Sequence, residues 1–502
     1  MECVTAPAPD RLLTRTGHWL RPDSSRVLGR LFVPGQETLI RGESRARSVI
    51  DRILKLTEEE VGDALARTVA RYSGRYRDLG ETLELHFRLI SHRVGSEMAV
   101  SPARQRLIGA YFSQEMAIEA AALANPSIVP HPDQSGCGPG ELRFVMSLRA
   151  VGEGHLSCIE FRTGVVADGG RVRLDEPGRF LDAGQPRPVV YDRELFASRL
   201  AELAGSDDEN ARVLWSLLPR HFAPAELDAA LGELARQRLT PDGSGTLAGT
   251  VRWIAACTYA VEFSEQTDLS ERVLAPSSPV ESHGMEDARF VRFEADDGPV
   301  YYATYTAFDG AQVSPQLLAT TDFLTFTISQ LSGPSARNKG MALFPRRVGG
   351  RFVALSRWDR ETNAIAYSDD GHRWEPAVDV QAPARAWELT QLGNCGSPIE
   401  TPMGWLVFTH GVGPMREYAI GAMLLDLDQP ARVRYALPEP LLVPDDAERN
   451  GYVPNVVYSC GAMLHGDTIV LPYGCSDSSV RIATVDLPGL LERLRSAGPA
   501  GT

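Results

Sequence analysis

The chain has no closely spaced cysteine pair. Its seven cysteines, Cys3, Cys137, Cys158, Cys257, Cys395, Cys460 and Cys475, are odd in number and widely scattered. That pattern excludes a disulfide framework and a C-x-x-C motif, and it fits buried reduced thiols in a cytosolic protein. No His/Cys cluster has zinc spacing either, so no metal is expected. Long apolar runs are also missing. Without a stretch of about 18 apolar residues, no membrane span is expected. The opening "MECVTAPAPDRLL" has no apolar core of signal-peptide length, which makes cytoplasmic residence the expectation. Basic excess is lacking too: the formal net charge is −14. That argues against a nucleic-acid partner, although a small pocket on an acidic protein can still be locally basic.

What is present is 502 residues, enough for two or three domains, with an ordinary globular composition of 43% hydrophobic and 23% charged residues. Residues 1–120 read as a helical N-terminal region. "LTEEEVGDALARTVARY" opens with Thr57 and Glu60 in capping-box spacing, and Val61, Leu65 and Val69 recur on one helical face. "SPARQRLIGAYFSQEMAIEAAALANP" reads as another helix, capped by Ser101 and closed by Pro126. A β-like stretch follows. Amphipathic segments then return over about 192–238, as a helical insertion in a β domain or a separate helical unit.

From about residue 250 the pattern changes to short β-branched or alternating runs punctuated by Gly, Asp and Pro, such as "VYYATYTAF", "RFVALSRW" and "GWLVFTHGV". These recur in four blocks of roughly 50 residues after residue 285, and "RFVMSLRAVGEGHLSCIEFRTG" supplies a fifth. A period of that length with about four strands per unit predicts a mainly β fold. The expected form is a five-bladed β-propeller over 121–495, with a pair of β-sandwiches as the alternative.

A propeller gathers strand ends from separate blades around one funnel, so polar residues at equivalent strand ends become candidates. These are Glu286, Asp287 and Arg289 in "MEDARF", Asn338 and Lys339 in "ARNKGMALFP", and Arg357 closing "RFVALSR". Later blocks add His410 in "VFTHG", Asn455 and Tyr458 in "VPNVVYSCG", and Asp477 in "YGCSDSS". Taken singly, each fits a solvated turn or a structural strand end.

Taken together, "GMEDARF", "NKGMALFPRRVGGRFVALSR", "GNCGSPIETPMGWLVFTHGV", "IGAMLLDLDQPARV" and "GYVPNVVYSCG" resemble the characteristic blocks of glycoside hydrolase family 130. That family holds five-bladed β-propeller mannoside phosphorylases and related β-mannosidases. The resemblance covers about 265–490 and more faintly 120–170. It implies Asp287 as general acid, with Arg289 in place and Ala288 where proline is usual. It implies Lys339, Arg357 and His410 as phosphate-binding residues. Glu286, Arg289, Asn338, Asn455 and Asp477 would contact the sugar. Gly340 stands where a polar residue usually follows the first cation, and Ser157 is the candidate for a phosphate-contacting serine. The proton would reach the glycosidic oxygen through a mannose hydroxyl. The implied partners are a β-linked manno-oligosaccharide and inorganic phosphate as co-substrate, with no other cofactor. Helical additions build oligomer interfaces in relatives, which makes a homo-oligomer an expectation.

The chemistry supports the same assignment. Cleaving a glycoside needs a proton for the leaving oxygen and a nucleophile at the anomeric carbon. An inverting hydrolase needs a second carboxylate to activate water, and Glu388 and Glu400 are the candidates for that base. Phosphate needs cations instead. The expected activity is therefore inverting phosphorolysis of a β-mannoside to α-mannose 1-phosphate. A β-mannosidase of the same family is the alternative, and a non-catalytic glycan- or protein-binding propeller is the rival from another class.

Overall fold

A computed structural model describes residues 12–34, 45–94, 100–204, 209–237 and 243–499. Cys3 and the opening residues through 11 lie outside the described residues, as do 205–208 and 238–242 within and beside the expected insertion. The chain divides into two compact units. One comprises Asp23–Ala120 with Gly178–Asp182, and the other holds the remainder.

The smaller unit is mostly helical for local reasons. The helix Glu58–Tyr72 starts at a complete Thr57/Glu60 capping box, and Pro102–Tyr111 starts at Ser101 with proline in the first turn. With Arg45–Leu54 and Leu79–Ile90 they enclose Ile50, Ile53, Val61, Leu107, Ile108 and Phe112. Val69, expected on that buried face, is exposed at 39%. Gly109 lets two helices touch: a Cβ there would sit 1.9 Å from the Leu83 carbonyl oxygen. The helix expected to run on to Pro126 ends at Tyr111 instead. Ser113–Ala117 pairs antiparallel with Val27–Leu31, and Ala122–Pro130 is a strand paired with Glu141–Val151 on either side of an irregularity at Asn125 and Pro126. Ladder pairing overrides the helix propensity of that alanine-rich run.

The larger unit is mainly β. Among its described residues, apart from the short pair Tyr191–Asp192 with His221–Phe222, the main strands fall into five antiparallel groups. The first is Ala122–Pro130, Glu141–Val151, Ser157–Ala167 and Arg171–Leu174. The second is Gly284–Ala295, Gly298–Phe308, Val313–Thr320 and Thr325–Gln330. A single parallel pairing, Gly284 with Ser157, joins these two into one sheet. The third runs from Ala342–Leu343 through Phe352–Ser356 and Asn363–Ser368 to Val378–Gln381. The fourth is built on Gly404–Val412 and Tyr418–Leu425, and the fifth on Thr468–Cys475 and Ser479–Asp486.

Leu13–Leu20 corrects the expectation that residues 1–120 are helical. It is a strand paired with Ser479–Asp486, so the start of the chain completes the last sheet. Its "LTRTGHWL" alternates too weakly to stand out without that partner.

The helical insertion contains Arg193–Ala204, Glu209–Leu217, Pro224–Gln237 and a fourth helix, Gly243–Ala256, past the expected end at 238. Glycines in that fourth segment weaken its helical signal. Packing of Val251 and Ile254 against Phe196, Leu214, Leu231 and Leu234 secures it. In the β core, Phe161, Phe290, Phe323 and Phe326 pack edge-on and stacked about 6 Å apart. Phe290 lies on the strand that carries Asp287, so this aromatic cluster packs directly against that strand.

Candidate active site

Asp287 sits on a β-bulge. Glu286 faces Thr306 and Arg289 faces Thr304, so Asp287 and Ala288 together oppose one residue of the neighbouring strand. The bulge turns Asp287 into the left-handed region at φ 57°, which re-aims its side chain out of the pleat. The same conformation recurs at Asn125 (φ 49°), Asn338 (φ 59°) and Asp477 (φ 48°). Asn and Asp tolerate it best among residues with a side chain. All four line one cavity of about 390 Å³, within the size range of small-ligand sites.

Lys339, Arg357, His410 and Tyr458 line the same cavity, so residues from separate sheets do meet there. Glu286 stands behind them. Its carboxylate binds Arg149 at 2.5 Å on one side and Lys339 on the other. Burial alone would raise the proton affinity of the Asp287 carboxyl. The positive charges of Lys339, Arg289, Arg149 and Arg357 outweigh that and hold it below the usual carboxylate range. Asp477 shows the opposite balance: burial raises its carboxyl above the usual range, and the charges of Asp287 and Glu286 add to that.

Three expected sugar contacts are absent from the cavity lining: Glu286, whose carboxylate is taken up by Arg149 and Lys339, Arg289 and Asn455. Arg289 is 1% exposed and lies beneath the cavity wall, donating from Nη1 to the Asp287 carbonyl (2.9 Å) and from Nη2 to the Tyr458 hydroxyl (2.7 Å). Its place on the core face of the strand makes it a support for Asp287. Asn455 is turned to Arg449 Nε, from which its Oδ1 accepts at 3.0 Å, and it is absent from the cavity lining. Ser157 is fully buried and accepts from Arg149 Nε at 3.0 Å, so it holds a cation instead of facing the cavity.

Gly340 has a steric explanation. At φ 94°, a Cβ on it would lie 2.8 Å from Arg357 Cδ. The missing side chain makes room for the guanidinium of Arg357, which is anchored through Nε to the Leu392 carbonyl (3.2 Å) and through Nη2 to that of Arg360 (3.0 Å).

The candidate hydrolytic bases are placed away from the cavity. Glu388 is fully buried against Arg385 at 3.0 Å, and Glu400 forms an exposed pair with Arg346 at 2.6 Å. Among the described residues, the carboxylates lining the cavity are Asp287 and Asp477.

Arg149 and Asn125 were missed. Both sit in the first strand group, where the sequence resemblance is faint. Arg149 carries one usable signal, an arginine near the end of the largely apolar "FVMSLRAV".

Comparison with known proteins decides the family. A family model described as β-1,4-mannooligosaccharide phosphorylase matches residues 261–496. A 1,2-β-oligomannan phosphorylase of Thermoanaerobacter sp. (strain X514) is 33% identical over 228 residues, covering 44% of this chain and 74% of that protein. The chain belongs to glycoside hydrolase family 130. Other relatives include a β-1,2-mannobiose phosphorylase of the same organism, 32% identical over 47% of this chain and 78% of its own length. Another is a β-1,4-mannooligosaccharide phosphorylase of Ruminococcus albus, 34% identical over 32% of this chain and 51% of its own. Among solved structures, a complex of Listeria innocua β-1,2-mannobiose phosphorylase with β-1,2-mannobiose has a TM-score of 0.44 at 20% identity, covering 76% of this chain and 93% of that one.

Proposed function

We propose that this family 130 protein is an inverting β-mannoside phosphorylase. The observation that carries the reading is that Asp287 shares one cavity with Lys339 and Arg357, an acid beside two anchored cations. The five antiparallel strand groups would be the blades of a five-bladed propeller, with the cavity at the funnel where their ends converge. Its described cysteines are free and mostly buried, which fits a cytoplasmic setting.

In this reading the mannosyl unit occupies the cavity between Asp287 and Asp477. Phosphate binds at Lys339 and Arg357, which neutralise it and hold one oxygen in line with the anomeric carbon. Attack from the face opposite the departing oxygen inverts the centre and gives α-mannose 1-phosphate. Asp287 supplies the proton that the leaving oxygen needs. In the empty cavity the surrounding cations keep Asp287 ionised, and a bound phosphate offsets them and raises its proton affinity. The acid thus holds its proton when the nucleophile is in place, which disfavours hydrolysis by water. The positions of Glu388 and Glu400 also weigh against a β-mannosidase, and the acid beside an anion site weighs against a simple binding propeller.

The test is release of mannose 1-phosphate from β-1,2- and β-1,4-mannobiose with and without phosphate. Phosphate-dependent release supports the reading. Equal sugar release without phosphate points to the hydrolase, and silence on every mannoside overturns both.

A further inference from the structure

His410 is fully buried, and its imidazole stacks on Tyr418 at 6.0 Å and lies 4.8 Å from the ring of Tyr458. Its Nδ1 is 3.2 Å from the Asn394 carbonyl oxygen. A carbonyl only accepts, so Nδ1 carries the hydrogen. Burial, with the charges of Arg357 and Arg289, pushes the ring's proton affinity well below its ordinary value. The imidazole is therefore neutral, and Nε2 presents a lone pair. That atom is buried and has no partner among the described residues, although His410 lines the cavity. Buried acceptors are costly to leave unmet.

What Nε2 would meet is set by Gly393. A Cβ there would lie 2.3 Å from Arg357 Nε and 2.4 Å from His410 Cε1. Guanidinium and imidazole converge over one point of backbone, so an anion held by Arg357 comes within reach of His410. A lone pair repels a bare oxyanion and attracts an O–H. Near neutral pH hydrogen phosphate carries such a group, whereas sulfate, of the same shape, does not.

Resting on the phosphorolysis reading, we propose that His410 Nε2 accepts a hydrogen bond from the P–O–H of hydrogen phosphate. The anion site is then a filter for protonated oxyanions against fully deprotonated ones. His410 orients the co-substrate and leaves the unprotonated oxygens to the cations and to attack. It is a neutral acceptor, in contrast to a third cation.

Titration calorimetry on the full chain tests this with phosphate, arsenate and sulfate. Phosphate and arsenate should bind at least about tenfold more tightly than sulfate. His410→Leu should shrink that ratio to about threefold or less by weakening phosphate while sparing sulfate. A second arm needs no variant. Methylphosphonate is protonated below its second ionisation and bare above it, so its binding to the wild type should fade as pH rises through that point, while phosphate binding persists. Sulfate binding as tightly as phosphate, unchanged selectivity in His410→Leu, or tighter binding of bare methylphosphonate each overturns the filter. If phosphate-dependent turnover survives such a result, the phosphorolysis reading stands without the filter. If no anion binds and no sugar phosphate forms, both fall.

Discussion

Two buried charge clusters in the larger unit differ in how completely they are satisfied. Glu448 is 1% exposed, and its carboxylate accepts from Arg15, Arg481, the Tyr473 hydroxyl and the Asp445 amide. Arg15 lies on the strand Leu13–Leu20, so this cluster ties the start of the chain to the last sheet. At Asp287 the arrangement is reversed. Four cations bias its carboxyl, which accepts no hydrogen bond from a described residue, and His410 nearby keeps one ring nitrogen unmet. A satisfied cluster holds a fold together, whereas an unsatisfied one is shaped for something that arrives later.

Exchanging single groups breaks this comparison in opposite directions. Asp287→Asn should lower kcat by roughly 10²–10⁴-fold, the span of general acid catalysis, with no loss of thermal stability. Turnover assays beside a melting curve check it, and undiminished activity removes Asp287 from its role. Glu448→Gln should do the reverse. It should cost about 3–5 kcal/mol, as expected when one partner of a buried ion cluster is lost, and leave turnover per folded molecule intact. Denaturant unfolding reads that loss. The deficit should also depend on pH. Its partners hold the Glu448 carboxyl below the ordinary glutamate range, although burial opposes them. Its contribution is then complete at neutral pH and fades as pH falls through and below that range, so wild type and variant should converge in acid.

Smaller effects sharpen the same contrast. Arg357→Ala should raise the phosphate KM by about tenfold, the expected loss for one charge-assisted contact, and change the mannoside KM far less. Initial rates over a phosphate series measure it, and an unchanged saturation curve denies an anion site there. Gly340→Ser would add a Cβ into Arg357 at a left-handed position. It should raise the phosphate KM a few-fold and cost about 1–3 kcal/mol of stability. A variant that instead improves phosphate binding would show that the missing polar side chain matters more than the room it leaves.

Much of the site was legible because its chemistry sits in short local motifs. "MEDAR", "NKGMALFP" and "VFTHG" brought Asp287, Lys339 and His410 forward, and the structure places all three in one cavity. Arg289 and Asn455 belong to such motifs too, yet one turns to the core and the other to Arg449. A motif identifies neighbours along the chain, and a bulge or an αL residue then decides which of them faces the cavity. Arg149 and Asn125 carry no motif of their own. Their importance appears only when Arg149 is seen beside Glu286, 137 residues away.

From its residue order alone, this chain determined its repeating strand blocks, its helix caps and which acid and cations are candidates for the site, because periodicity, capping and charge are local properties. Tertiary structure alone decided that Leu13–Leu20 is a strand, that Gly340 makes room for Arg357, and that His410 is buried with its Nε2 unmet by any described residue. Each of these depends on a partner distant in sequence, whose field or volume acts only after the chain has closed around it.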